Sequence, residues 1–222
     1  TNHINETVGI VAFEDGLIPC FTAGTRIHTP KGYVDIGTLR VGDSVTTADW
    51  GAKPIRWIGR RRLDQREMSR NAGLRPVRIL AGALGQNLPK RDLLVSRQHR
   101  MLVSSRVAER MFGRHEVLIS AIKLTALPGI FVDQDVPQVE YIHLLFDDHH
   151  LLLAEGAPSE SLYLGSEAQK ALSPEGRAEI ERLFPDLQGR SENNEPARYV
   201  PPGHLQKRLI TRHAKNEKPA LL

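Results

Sequence analysis

Short runs of alternating apolar and polar residues, each closed by a turn-forming cluster, fill the chain from about residue 25 to residue 154. Residues 25–28 (TRIH) alternate, residues 29–32 (TPKG) make a turn with Pro at its second position, and residues 33–36 (YVDI) resume the alternation. Val41-Gly42-Asp43 turns the chain into residues 44–47 (SVTT), Asp49-Trp50-Gly51 ends that piece, and residues 53–58 (KPIRWI) alternate again. Further strand-like runs lie at 76–79, 92–96, 99–103, 117–121, 130–132, 139–146 and 151–154. Strands this short at such regular spacing predict an all-β domain. Residues 60–75 (RRRLDQREMSRNAGLR) are polar and irregular and read as a loop or insertion.

Both ends differ in character. Residues 1–16 are polar and close on the turn-like Glu14-Asp15-Gly16. Beyond the β pattern, Ser166-Glu167-Ala168-Gln169 has capping-box spacing, and Ser173-Pro174 offers an N-cap followed by Pro at the first helical position. Ile180, Leu183, Phe184 and Leu187 then follow a helical period. From 189 onward the chain is polar, Pro-containing and basic, and is assigned no structure. The organisation expected is an upstream segment (1–16), a β domain (17–165), a helical extension (166–188) and a basic flexible tail (189–222). With Thr1 rather than Met at its start, the chain reads as a piece excised from something longer.

Composition narrows this picture. The residues are 40% hydrophobic but only 5% aromatic, so aliphatic side chains must fill the core. No apolar run approaches the ~18 residues of a membrane span, and no signal peptide is recognisable. The formal charge of +4 conceals an asymmetry: residues 53–114 hold sixteen Lys/Arg against four Asp/Glu, while residues 115–188 are acidic. A nucleic-acid surface is one reading of that basic middle. Its arginines, however, are scattered among apolar residues with few aromatics to stack bases, which favours complementarity between the two halves or plain solvation.

A single cysteine, Cys20, excludes an internal disulfide, and no Cys/His cluster has zinc spacing. Cys20 follows the apolar lead-in Leu17-Ile18-Pro19 and precedes the small-residue turn Ala23-Gly24. It is either a small buried hydrophobe or a nucleophile aimed at its own backbone. Among the nine histidines, His3, His28, His115, His204 and His213 sit in polar surroundings and read as surface residues. His99 stands where one strand breaks before the next, three residues after the hydroxyl of Ser96. His143 lies inside the apolar run 141–146, where an imidazole must be hydrogen-bonded or face a site. His149-His150 occupies the following turn. A thiol needs a base to become a nucleophile, and its leaving group needs an acid. Zinc is the rival use of His143, His149 and His150, but their spacing matches no ligand pair on a helix and no thiolate remains to join them.

Taken together, Cys20-Phe21-Thr22-Ala23-Gly24-Thr25, Ile36-Gly37-Thr38-Leu39 with Val41-Gly42-Asp43, Ser96-Arg97-Gln98-His99, and the stretch from His143 to Gly156 resemble the Hedgehog/intein (Hint) family. The overall look is closest to bacterial intein-like domains, over about residues 17–165. The resemblance implies a closed, horseshoe-like β fold with pseudo-two-fold symmetry that brings the first and last motifs to one centre. It places Cys20 at the nucleophile of a cleavage site between Pro19 and Cys20. Ser96 takes the place of the Thr, and His99 that of the His, in the family's Thr-x-x-His motif. Counting back from Gly156 aligns His150 with a later motif histidine, and His143 stands where inteins commonly have Asp. The final intein motif would end in His-Asn, but Glu160 and Ser161 occupy those positions.

The resemblance thus implies a single-turnover, self-cleaving domain without full splicing. Cys20 would attack the Pro19 carbonyl, His143 would take the thiol proton, and His99 with Ser96 would serve the departing amide nitrogen. The substrate is the chain's own upstream polypeptide, and the thioester would pass to water, a thiol or an amine. No cofactor and no metal are required. The family suggests a bacterial origin, often within a secreted or surface protein. A catalytically inactive Hint-like module in which Cys20 is core, and a nucleic-acid-binding module, remain as alternatives.

Overall fold

The structure, a computed structural model, describes residues 19–162 and 195–221. The turn at 14–16 and the helix expected over 166–188 lie outside the described residues. The strands are β1 (Phe21–Thr22), β2 (Arg26–Thr29), β3 (Gly32–Asp35), β4 (Ser44–Thr47), β5 (Gly51–Pro54) and β6 (Trp57–Asp64), followed by helix α1 (Gln65–Arg70). Then come β7 (Val77–Ile79), β8 (Leu93–Val95), β9 (Arg100–Ser104), α2 (Arg106–Phe112), β10 (Glu116–Ser120) and α3 (Ala121–Leu124). The series closes with β11 (Ile130–Val132), β12 (Gln138–Leu145), β13 (Leu151–Ala154), β14 (Ala157–Glu160) and α4 (Gly203–Lys215).

These strands form two antiparallel sheets. One runs β11-β7-β8-β1-β12-β6; the other runs β10-β9-β14-β13-β2-β3, with β4 on β13 and β5 on β4. The all-β expectation therefore holds. Aliphatic residues of both sheets share one core that includes Ile27, Val45, Ile79, Val95, Met101, Ile119, Ile142 and Leu152. The hairpin joining β13 to β14 turns on Glu155 and Gly156, with φ of 47° and 83°. Two positive φ values make this the turn type whose twist suits a two-residue hairpin. The Glu155 side chain holds the strained position by accepting from the Arg26 N–H at 2.7 Å. Gly156 must lack a Cβ, which would come within 3.0 Å of Leu88.

The reading of residues 60–75 as a loop is corrected. Most of β6 lies in that stretch and pairs with the whole of β12, from Gln138↔Asp64 to Leu145↔Trp57. Arg60, Arg61 and Arg62 made the stretch look irregular, yet Trp57, Gly59 and Leu63 are buried and preserve a strand's alternation. Asp64 then caps α1 through a capping box with Glu67. Several basic residues of the middle pair with acidic ones of the second half, among them Arg56–Asp147, Arg62–Glu140 and Arg78–Asp133.

The tail is a second correction. Residues 195–221 are not an irregular arm: α4 buries Gln206, Leu209, Ile210 and His213. Tyr199 and Leu221 make parallel bridges to Val117 and Ser104. His213, read as a surface residue, is fully buried; its Nε2 meets the Ser105 hydroxyl at 3.0 Å and its Nδ1 the Pro219 carbonyl at 2.9 Å. Leu209 and Ile210 join the main core, and burial of that helical stripe against α2 and α3 outweighs the helix's charge. Leu209→Ala should therefore cost about 2–5 kcal/mol in chemical denaturation, as a core truncation does. A solvated arm would show a loss within about 0.5 kcal/mol.

Candidate active site

The register of β1 builds the site. Phe21 pairs with Ile142 on one side and with Val95 on the other. In antiparallel strands the next pairs outward are Cys20 with His143 and Cys20 with Ser96, and cross-strand neighbours share a face. The contacts follow. The Cys20 thiol lies 3.3 Å from His143 Nε2. The Cys20 N–H donates to Ser96 Oγ at 2.9 Å, and the Ser96 N–H donates to the Cys20 carbonyl at 2.9 Å. Gly59 stands opposite His143 on β6, so no side chain occupies that flank.

His143 also touches the bond in question. Its Nδ1 is 2.6 Å from the Pro19 carbonyl oxygen. A carbonyl can only accept, so Nδ1 carries the proton of the neutral ring and Nε2 presents its lone pair to the thiol. One imidazole can thus polarise the Pro19 carbonyl and accept the Cys20 proton. Burial lowers His143 from 6.5 to about 4, the hydrogen bond to Pro19 opposing it, so the ring is neutral near pH 7. Burial pushes the Cys20 thiol far up, against smaller opposing effects of Ser96 and Arg61. The sulfur is therefore a thiol whose proton must leave as the bond forms. Tyr141, on the same face, donates to the Leu74 carbonyl at 2.8 Å and packs with Cys20, Leu63 and Val139.

His99 lies over Phe21, their ring centroids 4.3 Å apart. It is 1% exposed, and neither ring nitrogen has a hydrogen-bond partner in the protein. An unsatisfied polar group buried in a native core costs about 1–3 kcal/mol, and such exceptions call for an explanation. Burial lowers His99 to about 4, against the opposing charge of Glu160.

The sequence placed His150 in this set, but the structure does not bring it there. Successive residues entering β13 face opposite ways. The charged and titratable neighbours of His150 are Asp148, Lys53, His149 and Asp49, and its ring lies edge-on to Phe146. His149 is the one turned toward the centre. Its Nε2 is 3.5 Å from Glu160 Oε2, and it acts electrostatically on His99. Glu160, a residue the sequence reading did not select, is fully buried. It accepts from the Arg100 N–H at 2.8 Å and from the Arg100 guanidinium at 2.9 Å. Burial would raise its carboxyl, but His149 and Arg100 outweigh that and hold it below the ordinary range. The only advance signal was its position at the final motif.

A family model described as the Hint domain matches residues 19–166. The chain belongs to the Hint domain family. Among solved structures it is similar to the bacterial intein-like domain from Clostridium thermocellum, at 15% identity and a TM-score of 0.42, over 65% of this chain and 98% of that one. It is also similar to the MchDnaB-1 intein, at 14% identity and a TM-score of 0.39, over 63% and 98% of the two chains. For the gp41-1 intein the values are 12% and 0.38, over 64% and 97%. No curated protein matches. No helix among the described residues is long and apolar enough to cross a membrane.

The buried imidazoles have a consequence for stability. His99 and His143 both titrate near 4 in the folded chain against 6.5 ordinarily. Between those values the unfolded chain binds more protons, so acid favours unfolding. Their contribution is fully present above about pH 6.5 and is lost as pH falls toward 4. That of Glu160, depressed from 4.5, is lost only below that value. Urea melts at pH 7, 5.5 and 4.5 should show stability falling across the series, with a shallower fall in His99→Gln.

Proposed function

We propose that this domain cleaves its own Pro19–Cys20 bond by an N-to-S acyl shift. The Cys20 sulfur attacks the Pro19 carbonyl carbon while His143 Nε2 takes the thiol proton. The imidazolium so formed keeps its Nδ1–H on the developing oxyanion, so both events stabilise one transition state. The C–N bond then breaks as the C–S bond is completed. The amide nitrogen gains a proton from His99 and becomes the α-amine of Cys20; the proton taken from sulfur replaces the one His99 gives. Attack on the thioester by water, a thiol or an amine breaks the C–S bond, releases the upstream polypeptide and regenerates the thiol.

The observation that carries this reading is the double engagement of His143, with the thiol on one nitrogen and the carbonyl of the adjacent peptide on the other. A core cysteine requires neither contact. Ser161 stands where an intein's terminal Asn would cyclise. Its hydroxyl accepts from the His150 N–H at 3.0 Å, and a hydroxyl has no side-chain amide with which to attack. Cleavage on the amino side without splicing follows.

A fusion carrying a reporter upstream of Thr1 tests the proposal. Wild type should release the reporter, faster with hydroxylamine or a thiol, and Cys20→Ala should release none. His143→Ala should slow release by about 10²–10⁴-fold, the usual worth of a placed base. The rate should rise as pH falls from 8 to about 5, because His143 stays neutral to about 4 while the cationic fraction of His99 grows. A rise through pH 8.5, as for a free thiol, is not expected. Release from Cys20→Ala, or an intact wild type under thiol, would leave the inactive-module reading instead.

A further inference from the structure

Glu160 draws together elements from four parts of the chain. Its carboxylate sits on the backbone N–H of Arg100, which is the peptide group immediately following His99. Strand pairing sets this up, since Ser159 of β14 lies opposite Met101 of β9. The second oxygen takes the Arg100 guanidinium at 2.9 Å and faces His149 Nε2 at 3.5 Å. On the far side of His149, the N–H of Ala197 donates to Nδ1 at 3.0 Å. That bond leaves Nδ1 without a proton, so the neutral ring carries its proton on Nε2, the nitrogen 3.5 Å from the carboxylate. Ala197 belongs to the C-terminal segment, beyond the family-matched residues 19–166. The next residue anchors it: the Arg198 guanidinium bonds Asp49 at 2.7 and 3.0 Å and also pairs with Glu116.

We infer that Glu160 is the positioning residue for His99, and that the C-terminal segment holds it in place through the chain Ala197–His149–Glu160. The inference rests on the acyl-shift reading above and deepens it. His99 has no hydrogen-bond partner for either ring nitrogen, so two things determine its behaviour: where its backbone is held and which charges surround it. Glu160 supplies both, clamping the peptide on its carboxyl side and setting a buried negative charge beside the ring. The groups acting on His99 are Glu160, His143, Arg100 and His149. Of these only Glu160 favours an imidazolium, the state His99 must hold to protonate the departing nitrogen. A neutral ring there could not make that delivery.

The test uses the full chain with its reporter, comparing wild type, Glu160→Gln, Glu160→Asp and Ala197→Pro. Two readouts are followed: the cleavage rate from pH 4 to 9, and the His99 titration by NMR of ring-labelled histidine. Glu160→Gln should slow cleavage about ten- to a hundredfold, less than the full worth of a general acid because His99 itself remains. It should also move downward both the limb on which the rate falls with rising pH and the His99 midpoint, and Glu160→Asp should restore part of both. Ala197→Pro removes the N–H while leaving Glu160 and Arg100 in place. It should free the His149 tautomer, seen in its ring nitrogen shifts, and change His99 in the same direction by less. A folded Glu160→Gln with an unchanged His99 titration overturns the inference, whatever the cleavage assay gives. If Glu160→Gln does not fold, an unaltered His149 tautomer and His99 midpoint in Ala197→Pro overturn it instead. A wild type that never cleaves sinks the acyl-shift reading, while the His99 titration still decides this one.

Discussion

The pairing of a two-residue strand governs the site. β1 contributes only Phe21 and Thr22, yet it lies between β12 and β8 in the middle of a six-stranded sheet. With Phe21 opposite both Ile142 and Val95, Cys20 has no choice but to meet His143 and Ser96. A slip of one residue would turn the thiol to the other face and aim His143 at a different carbonyl. What prevents the slip is the apolar content of the register. Phe21, Ile142 and Val95 are all buried in the one core, and a slip would put Cys20 or Thr22 in the place Phe21 fills there. Hydrophobic packing, which is itself non-directional, thus sets the position of a thiol to within a hydrogen bond.

Around that thiol the domain accepts an unusual density of buried polar groups. His99, His143, His149 and Glu160 are nearly or wholly withdrawn from solvent. Each buried imidazole and the clamped carboxylate work against folding unless their surroundings compensate. The compensation is partly local, as with Arg100 on Glu160, and partly remote. The C-terminal segment adds apolar area through Leu209, Ile210 and Leu221 and lends the Ala197 N–H to His149. Residues outside the family-matched span are thereby part of the same packed unit.

How much of this was legible beforehand differs from residue to residue. Most of the strands, and the interest of Cys20, Ser96, His99 and His143, could be read because motif position and apolar surroundings pointed the same way. β6 could not, because Arg60, Arg61 and Arg62 look like solvated loop until β12 is laid beside them. Similarly, α4 carries its buried stripe at 206, 209, 210 and 213, but two of those four residues are polar and Lys207, Arg208, Arg212 and Lys215 are exposed. Counting from Gly156 selected His150 over His149, and counting alone cannot tell which of two adjacent residues faces inward. Glu160 was noticed only as a missing histidine. A carboxylate near a strand end is ordinarily solvated, and only the three-dimensional neighbours, Arg100 and His149, turn it into part of the centre.

The thiol and its base are 123 residues apart along the chain. A growing polypeptide therefore exposes Cys20 long before it contains His143, and longer still before Ala197. Throughout that interval the sulfur is an ordinary cysteine beside an ordinary peptide bond, with nothing to take its proton or polarise its neighbour. Sequence separation acts as a clock: whatever precedes Pro19 has been made, and has had time to fold, before the proposed chemistry that would detach it has its parts.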